Sequence, residues 1–183
     1  YDRDFAHVNF VCKETSFSSS NNLKGKVTQI NSIQLENELL NDPTFFSNHK
    51  TGGKDIVVQD VTNKLYFISS GGKILWTKKL KNPILGKVKE VDLLRNGKKQ
   101  LAFTTKNNFY ILDRTGRAVA PFPIKFRDEI TQGISVFDYD NNRKYRFVIT
   151  QGKEPLMLDS KGKKVKGFRF KKTKSNIVFP PKH

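Results

Sequence analysis

The sequence lacks the residues on which several classes of protein depend. It contains one cysteine, Cys12, so no internal disulfide can form, and we interpret this thiol as a small buried residue of a strand. No stretch approaches the roughly 20 consecutive apolar residues of a membrane-spanning helix. A signal peptide and an initiator methionine are also missing, and we therefore expect the chain to be a piece of a longer protein.

Patterns typical of catalytic and metal sites do not occur either. The three histidines, His7, His49 and His183, stand far apart, and the chain has neither H-x-x-x-H nor C-x-x-C. It has no G-x-S-x-G motif and no phosphate-binding loop. Four carboxylates have no acid–base partner nearby and are expected to be solvated or loop residues: Glu90, Asp92, Asp128 and Glu129. We therefore predict a protein that is not an enzyme and that uses no cofactor.

Positive charge is abundant and unevenly distributed. The formal net charge is +17, yet residues 1–50 hold five basic and six acidic side chains. Residues 161–183 hold nine basic side chains and no acidic one. Eight of these cations fall within fourteen residues and form what we call the basic tract: Lys161, Lys163, Lys164, Lys166, Arg169, Lys171, Lys172 and Lys174. The tract is the candidate binding site of the sequence.

Two interpretations of the basic tract remain open. Phe168 and Phe170 alternate with Arg169 as residues of an outer strand do, in which case both phenylalanines would be buried and the lysines would protect an exposed strand edge. Alternatively, a positive surface with interleaved aromatic side chains binds a polyanion, either nucleic acid or an acidic polysaccharide.

Two kinds of turn recur along the chain with a period of about 45 residues. The first has glycines at Gly25, Gly72, Gly116 and Gly162, with spacings of 47, 44 and 46 residues. The second aligns on Lys54, Lys99 and Lys144, with a spacing of 45, and leads each time into a short β-rich run. Internal repeats of this length with short strands are typical of a β-propeller.

These turns divide the chain into units of four antiparallel strands. We predict units at residues 44–83, 84–129 and 130–176, preceded by the outer part of another unit at 1–43 and followed by the start of one at 177–183. In the middle unit the strands are expected at residues 84–94, 99–105, 108–113 and 117–126. The prediction is an all-β partial β-propeller of three to four blades. Its open blade edges favour self-association.

One turn resembles a calcium loop. Asp138, Asp140 and Asn142 alternate as oxygen ligands do, and they are the candidate metal ligands of the sequence. Arg143 stands where such a loop has glycine, and no acidic ligand follows, although calcium takes about six to eight oxygens. We therefore interpret the segment as a polar turn between the first two strands of a unit.

The turns also resemble PQQ-like propeller repeats, which carry D-x-x-T-G and then a tryptophan four residues after the glycine. Asp113, Thr115 and Gly116 match the first half, and Gly72 with Trp76 matches the second. Other residues follow the remaining glycines at the tryptophan position: Ala120, Lys166 and Gln29. The resemblance extends over roughly residues 44–176.

This resemblance implies a propeller fold in which Trp76 packs between blades. The sequence is also similar to uncharacterised propeller proteins of Bacteroidetes, which implies a periplasmic or cell-envelope setting. We therefore expect a non-catalytic interaction module of a larger envelope protein, whose partners are proteins or the rest of its own chain. The alternative is a polyanion-binding surface on the basic C-terminal half.

Overall fold

The computed structural model describes the backbone of residues 6–12, 28–170 and 172–182, and the side chains from residue 32 onward within those ranges. All regular secondary structure in these ranges is β, which confirms the all-β prediction. The turn at 21–26, the side chains of His7 and Cys12, Lys171 and His183 lie outside the described residues.

Short strands separated by tight turns make up the structure. Their bounds are β1 Ala6–Cys12, β2 Thr28–Leu35, β3 Thr44–Ser47, β4 Lys54–Gln59, β5 Lys64–Ile68, β6 Ile74–Lys79, β7 Ile84–Val91, β8 Gln100–Thr105, β9 Asn108–Leu112, β10 Ile124–Lys125, β11 Ser135–Phe137, β12 Arg146–Gln151 and β13 Glu154–Leu158.

The strands form antiparallel sheets in which each strand pairs with its neighbour in the chain. β1 pairs with β2, the first sheet contains β3 to β6, the second contains β7 to β10, and the third contains β11 to β13. The turns between strands are short because adjacent antiparallel strands can be joined directly. The predicted four-strand unit at 84–129 therefore matches the second sheet in the number and order of its strands.

Three hydrophobic clusters join these sheets in sequence order. One lies between β2 and the first sheet, one between the first and second sheets, and one between the second and third. Side chains of β8 alternate between two of them: Leu101 and Phe103 pack toward the first sheet, and Ala102 packs toward the third. Because strand side chains point alternately to opposite faces, a strand buried on both faces reads as a continuous apolar run.

The predicted alignment of Lys54, Lys99 and Lys144 is wrong by one residue at its third member. Cross-strand pairing makes Ile56, Leu101 and Phe147 equivalent, because each begins the pairing with the following strand. Tyr145 therefore holds the position of Lys99, and its side chain is buried in the third cluster. A shift of one residue moves a side chain to the opposite face of a strand, so the error matters for packing.

The predicted outer strand at 117–126 is also largely wrong. Only Ile124 and Lys125 pair with β9, together with an isolated bridge between Leu112 and Ala118. Pro121 and Pro123 lie in this segment, and proline has no N–H with which to continue a ladder. The segment instead places the Phe122 side chain in the cluster between the second and third sheets.

Candidate functional site

The turn at Asp138 uses its acidic oxygens to hold its own backbone. The Asp138 carboxylate accepts the N–H groups of Asn142 at 3.0 Å and Arg143 at 2.9 Å. Asp140 accepts the side-chain amide of Asn142 at 3.2 Å. Among the described residues, no three His, Cys, Asp or Glu side chains are grouped as a metal ion would require. These contacts match a polar turn between β11 and β12.

Asp92 occupies the same position in the turn between β7 and β8. Its carboxylate accepts the N–H groups of Asn96 and Gly97, and it forms an ion pair with Arg143 at 3.1 Å. Asp92 is a turn residue, as one of the two expectations had it, but it is not solvated, because the residue is only 1% exposed. The ion pair with Arg143 instead connects the second and third sheets.

The other three predicted carboxylates differ among themselves. Glu90 is half-buried and accepts the N–H of Ser47 at 2.5 Å, which links the second sheet to the first. Asp128 and Glu129 are exposed, as predicted, and Glu129 forms a surface ion pair with Lys106 at 3.2 Å. None of these groups forms an acid–base pair with another.

The described cations of the basic tract are all exposed. Lys161 and Lys163 lie in a turn whose backbone is held by the Asp159 carboxylate at 2.9 Å. Lys172 approaches Glu154 at 4.0 Å, which is the one ion pair of the tract within the described residues. The tract therefore presents its charge to solvent with little internal compensation.

The predicted burial of the two phenylalanines in the tract is wrong. Past an isolated bridge between Leu158 and Lys164, the segment forms no strand within its described residues. Phe168 is half-buried, Phe170 is 51% exposed, and their rings stack at a centroid distance of 6.5 Å. An aromatic pair beside exposed cations is the arrangement that a polyanion-binding surface uses.

A second cationic region, which the sequence did not predict, lies between the first and second sheets. Its cavity volume is ≈ 630 Å³. We call it the cationic cleft, and its lining residues are His49, Lys50, Leu75, Trp76, Leu94, Asn96, Lys98, Lys99, Gln100, Asp113, Arg114 and Thr115. These residues come from turns far apart in sequence, so only the packing of one sheet on the next brings them together.

Arg114 anchors the cleft. Its guanidinium forms an ion pair with the buried Asp55 and lies over the Phe67 ring, 5.6 Å from the centroid. Its Nη1 atom is shielded from solvent and has no hydrogen-bond partner. A buried charged nitrogen without a partner is costly, which makes this an unusual feature of the cleft.

His49 reports the electrostatic character of the cleft. Desolvation lowers the pKa of His49 below its usual value, and the nearby charges of Arg114, Lys98 and Lys50 lower it further, while Asp55 opposes them. Like charges disfavour the protonated imidazole. The lining itself carries a net positive formal charge, because it holds four cations and one carboxylate: Lys50, Lys98, Lys99, Arg114 and Asp113.

Trp76 forms part of the apolar wall of the cleft. Its ring stacks on Phe67 with centroids 5.3 Å apart, and its Nε1 donates to the carbonyl oxygen of Arg114 at 2.8 Å. A Cβ atom added to Gly116 would lie 2.9 Å from the indole. Trp76 thus joins the first sheet to a turn of the second.

Two large hydrophobic side chains on the segment outside the third sheet are strongly exposed. Phe179 is 74% exposed and Val178 is 67% exposed, the highest values among the large hydrophobic side chains described. Their segment is held against the sheet by hydrogen bonds from Gln132 to the Ile177 carbonyl and from Ser135 to the Pro181 carbonyl. We call the exposed side chains of Val178 and Phe179 on this segment the third-sheet face.

Comparison with known proteins adds no family. No protein-family model matches the chain, and neither does any curated protein. Within the described residues, no helix has the length and apolar character needed to cross a membrane.

Proposed function

We propose that this chain is part of a β-propeller and acts as a non-catalytic interaction module of a larger cell-envelope protein. Successive antiparallel sheets packed face to face, each with its strands in chain order, support the propeller. The envelope setting is an expectation from the similarity to uncharacterised propeller proteins of Bacteroidetes, and fractionation of cells that produce the protein tests it.

The third-sheet face is the observation that carries the interaction role. The first sheet is covered by β2 and by the second sheet, and the second sheet is covered by its neighbours on both sides. Within the described residues the third sheet has a neighbouring sheet on one side only. Its other side is covered by the segment that Gln132 and Ser135 hold, and on this segment Val178 and Phe179 are exposed. Exposed apolar patches of this kind mark interaction surfaces.

We expect a second copy to cover this face in solutions of the purified chain. Light scattering from about 10 to 500 µM should show a molar mass that rises with concentration, because association follows mass action. The Val178→Asp/Phe179→Asp variant should remain monomeric. Leu75→Asp/Leu94→Asp, which alters two exposed leucines elsewhere, is the matched control and should associate like the natural protein. A natural protein that stays monomeric over the whole range contradicts the proposal.

A polyanion-binding surface is the second candidate, favoured by the exposed basic tract and its stacked phenylalanines. A net charge of +17 gives salt-sensitive binding to any polyanion, because counterions are released. We therefore expect affinity for single-stranded DNA and heparin to fall steeply with salt and to show no preference between them.

The comparison that separates the two candidates keeps the net charge equal. One variant replaces Lys164, Lys166, Lys171 and Lys172 by alanine, and the control replaces four exposed lysines elsewhere: Lys54, Lys73, Lys81 and Lys144. If only net charge matters, both variants should weaken binding alike. Micromolar binding that survives physiological salt and disappears in the first variant alone would establish the tract as a dedicated site.

A further inference from the structure

We propose that the cationic cleft binds a small molecule that carries a carboxylate, phosphate or sulfate group. The cleft volume of ≈ 630 Å³ falls within the roughly 300–1,000 Å³ typical of small-molecule sites. This site is independent of the interaction role and of the basic tract, because its lining residues lie between positions 49 and 115.

Two turns hold lysines at the mouth of the cleft. The backbone N–H of Lys50 donates to Asn48 Oδ1 at 2.9 Å, and that of Lys98 donates to Asn96 Oδ1 at 3.0 Å. These contacts fix the backbone and leave both side chains exposed. The lysines are therefore positioned by their turns, while their ammonium groups remain available to an anion.

The charges of the cleft are poorly compensated. In the described part of the chain, no carboxylate lies within ion-pair distance of Lys50, Lys98 or Lys99. The one carboxylate of the lining, Asp113, accepts the N–H and hydroxyl of Thr115 at 2.7 Å each. A concave site lined by one sign of charge raises the local concentration of the opposite ion.

The cleft also offers apolar contact beside its charges. Leu75 and Leu94 are exposed large hydrophobic side chains of the lining, one from each sheet. A few charged groups that fix orientation within an apolar wall are the usual composition of a small-molecule site. We infer that the ligand has an apolar body next to its anionic group.

His49 provides a direct readout of anion binding. The imidazole signals of the full chain are followed by NMR during pH titrations in sodium chloride and in sodium sulfate at equal ionic strength, and the His49→Gln variant assigns the His49 signal. An anion bound among Arg114, Lys98 and Lys50 offsets their repulsion of the imidazolium. We expect sulfate to raise the pKa of His49 saturably, and to leave the other two histidines unchanged.

Matched double variants separate a site from general screening. Lys50→Ala/Lys98→Ala removes two exposed ammonium groups of the cleft and should abolish the sulfate effect. Lys161→Ala/Lys163→Ala removes two exposed lysines whose backbone N–H groups are held by a turn in the same way, and should preserve it. The proposal would be overturned by any of three results. These are an equal His49 pKa in both salts, a shift that never saturates, and a shift that persists without Lys50 and Lys98.

An aromatic dianion tests the apolar part of the inference. We expect 4-sulfobenzoate to produce the His49 shift at a severalfold lower concentration than sulfate. Leu75→Ser/Leu94→Ser should remove that preference without altering the response to sulfate, because Lys50, Lys98 and the turns that hold them are unchanged. A response to 4-sulfobenzoate that is no stronger than the response to sulfate would contradict the apolar contact. Loss of self-association in the Val178→Asp/Phe179→Asp variant should leave all of these responses intact.

Discussion

At each of the two junctions between the three larger sheets, an apolar side chain of one sheet packs against a turn glycine of the next. The two junctions use different side chains for this contact. At the first junction, the Trp76 indole lies against the turn glycine Gly116. At the second, Ile124 and Phe122 lie against the equivalent glycine, Gly162, and a Cβ atom there would fall 2.2 Å from Ile124 Cδ1. Both glycines have positive φ, 82° and 73°, a region that side chains disfavour.

The difference teaches that the requirement lies in the turn and not in the tryptophan. A glycine with positive φ closes the hairpin and leaves a bare surface on which a large apolar side chain of the preceding sheet rests. Ala120 stands at the tryptophan position of the second sheet, yet Phe122 reaches the cluster from two residues further on. The tryptophan of the motif can therefore be absent from a unit while an apolar contact with the turn glycine is kept.

Removing the aromatic residue of the second junction should have the largest effect. Phe122 contacts Phe109 at 4.9 Å and Phe147 at 6.4 Å between ring centroids, and it is almost fully buried. We expect Phe122→Ala to lower the free energy of unfolding by about 3–4 kcal/mol, because truncation leaves a cavity among rings. Urea denaturation measures this change in the free energy of unfolding. Phe45→Ala, at an exposed position, is the control, and an equal loss there would contradict the role of Phe122.

Removing the aromatic residue of the first junction should lower the free energy of unfolding somewhat less. Trp76 is only half-buried, so we expect Trp76→Ala to cost about 2–3 kcal/mol. Trp76→Phe keeps a ring near Phe67 but cannot donate to the Arg114 carbonyl, and about half of the loss should return. If Trp76→Ala proves neutral in urea denaturation, the indole does not join the sheets.

Acid should affect the first sheet more than the second. Burial alone would raise the pKa of Asp60, but hydrogen bonds from the Lys64 N–H, Thr62, Asn37 and Tyr66 outweigh it and lower the pKa. A lowered pKa stabilises the fold above the unfolded value of about 4, and this contribution is lost as the pH falls through the folded value. The corresponding turn of the second sheet has Lys106 instead.

We therefore expect Asp60→Asn to cost about 2 kcal/mol at pH 7 and less at pH 3, because the stabilisation by the carboxylate is lost progressively as the pH falls below about 4 through its lowered folded pKa. Thermal unfolding at both pH values measures the difference. Asp128→Asn, at an exposed position, is the control and should leave the stability unchanged at both pH values. A cost for Asp60→Asn that is equal at pH 7 and pH 3 would show that its charge is unimportant.

Substituting the two turn glycines by alanine should change the free energy of unfolding least, and the difference between the two sites tests the packing at each junction. Alanine at positive φ costs about 1–2 kcal/mol at either site. At Gly116 the new methyl also meets a rigid indole, whereas at Gly162 it meets the terminal methyl of Ile124, which can rotate away. We expect Gly116→Ala to reach the upper end of that range and Gly162→Ala the lower. The reverse order in urea denaturation would contradict this explanation.

The sequence predicted strands, turns and their approximate period because hairpin chemistry is local. Glycines at positive φ and the Asp138 turn are determined by residues within a few positions of each other. The outer strand at 117–126 was predicted wrongly because two prolines interrupt its ladder while its alternating apolar pattern persists. The residue order was not informative about the cationic cleft, since Lys50, Lys98 and Arg114 meet only after one sheet packs on another.

The third sheet completes the comparison, because within the described residues it has another sheet on one face and only the segment around Ile177 and Pro181 on the other, where the second sheet has a sheet on both faces. Amide hydrogen exchange at low protein concentration tests this difference most directly. We expect the amides of β8, such as Ala102 and Phe103, to exchange slowest, and those of β12, such as Val148 and Ile149, to exchange measurably faster. Protection of β12 should rise with concentration as copies associate. Equal protection of the two strands at every concentration would contradict an interaction module whose third-sheet face is exposed.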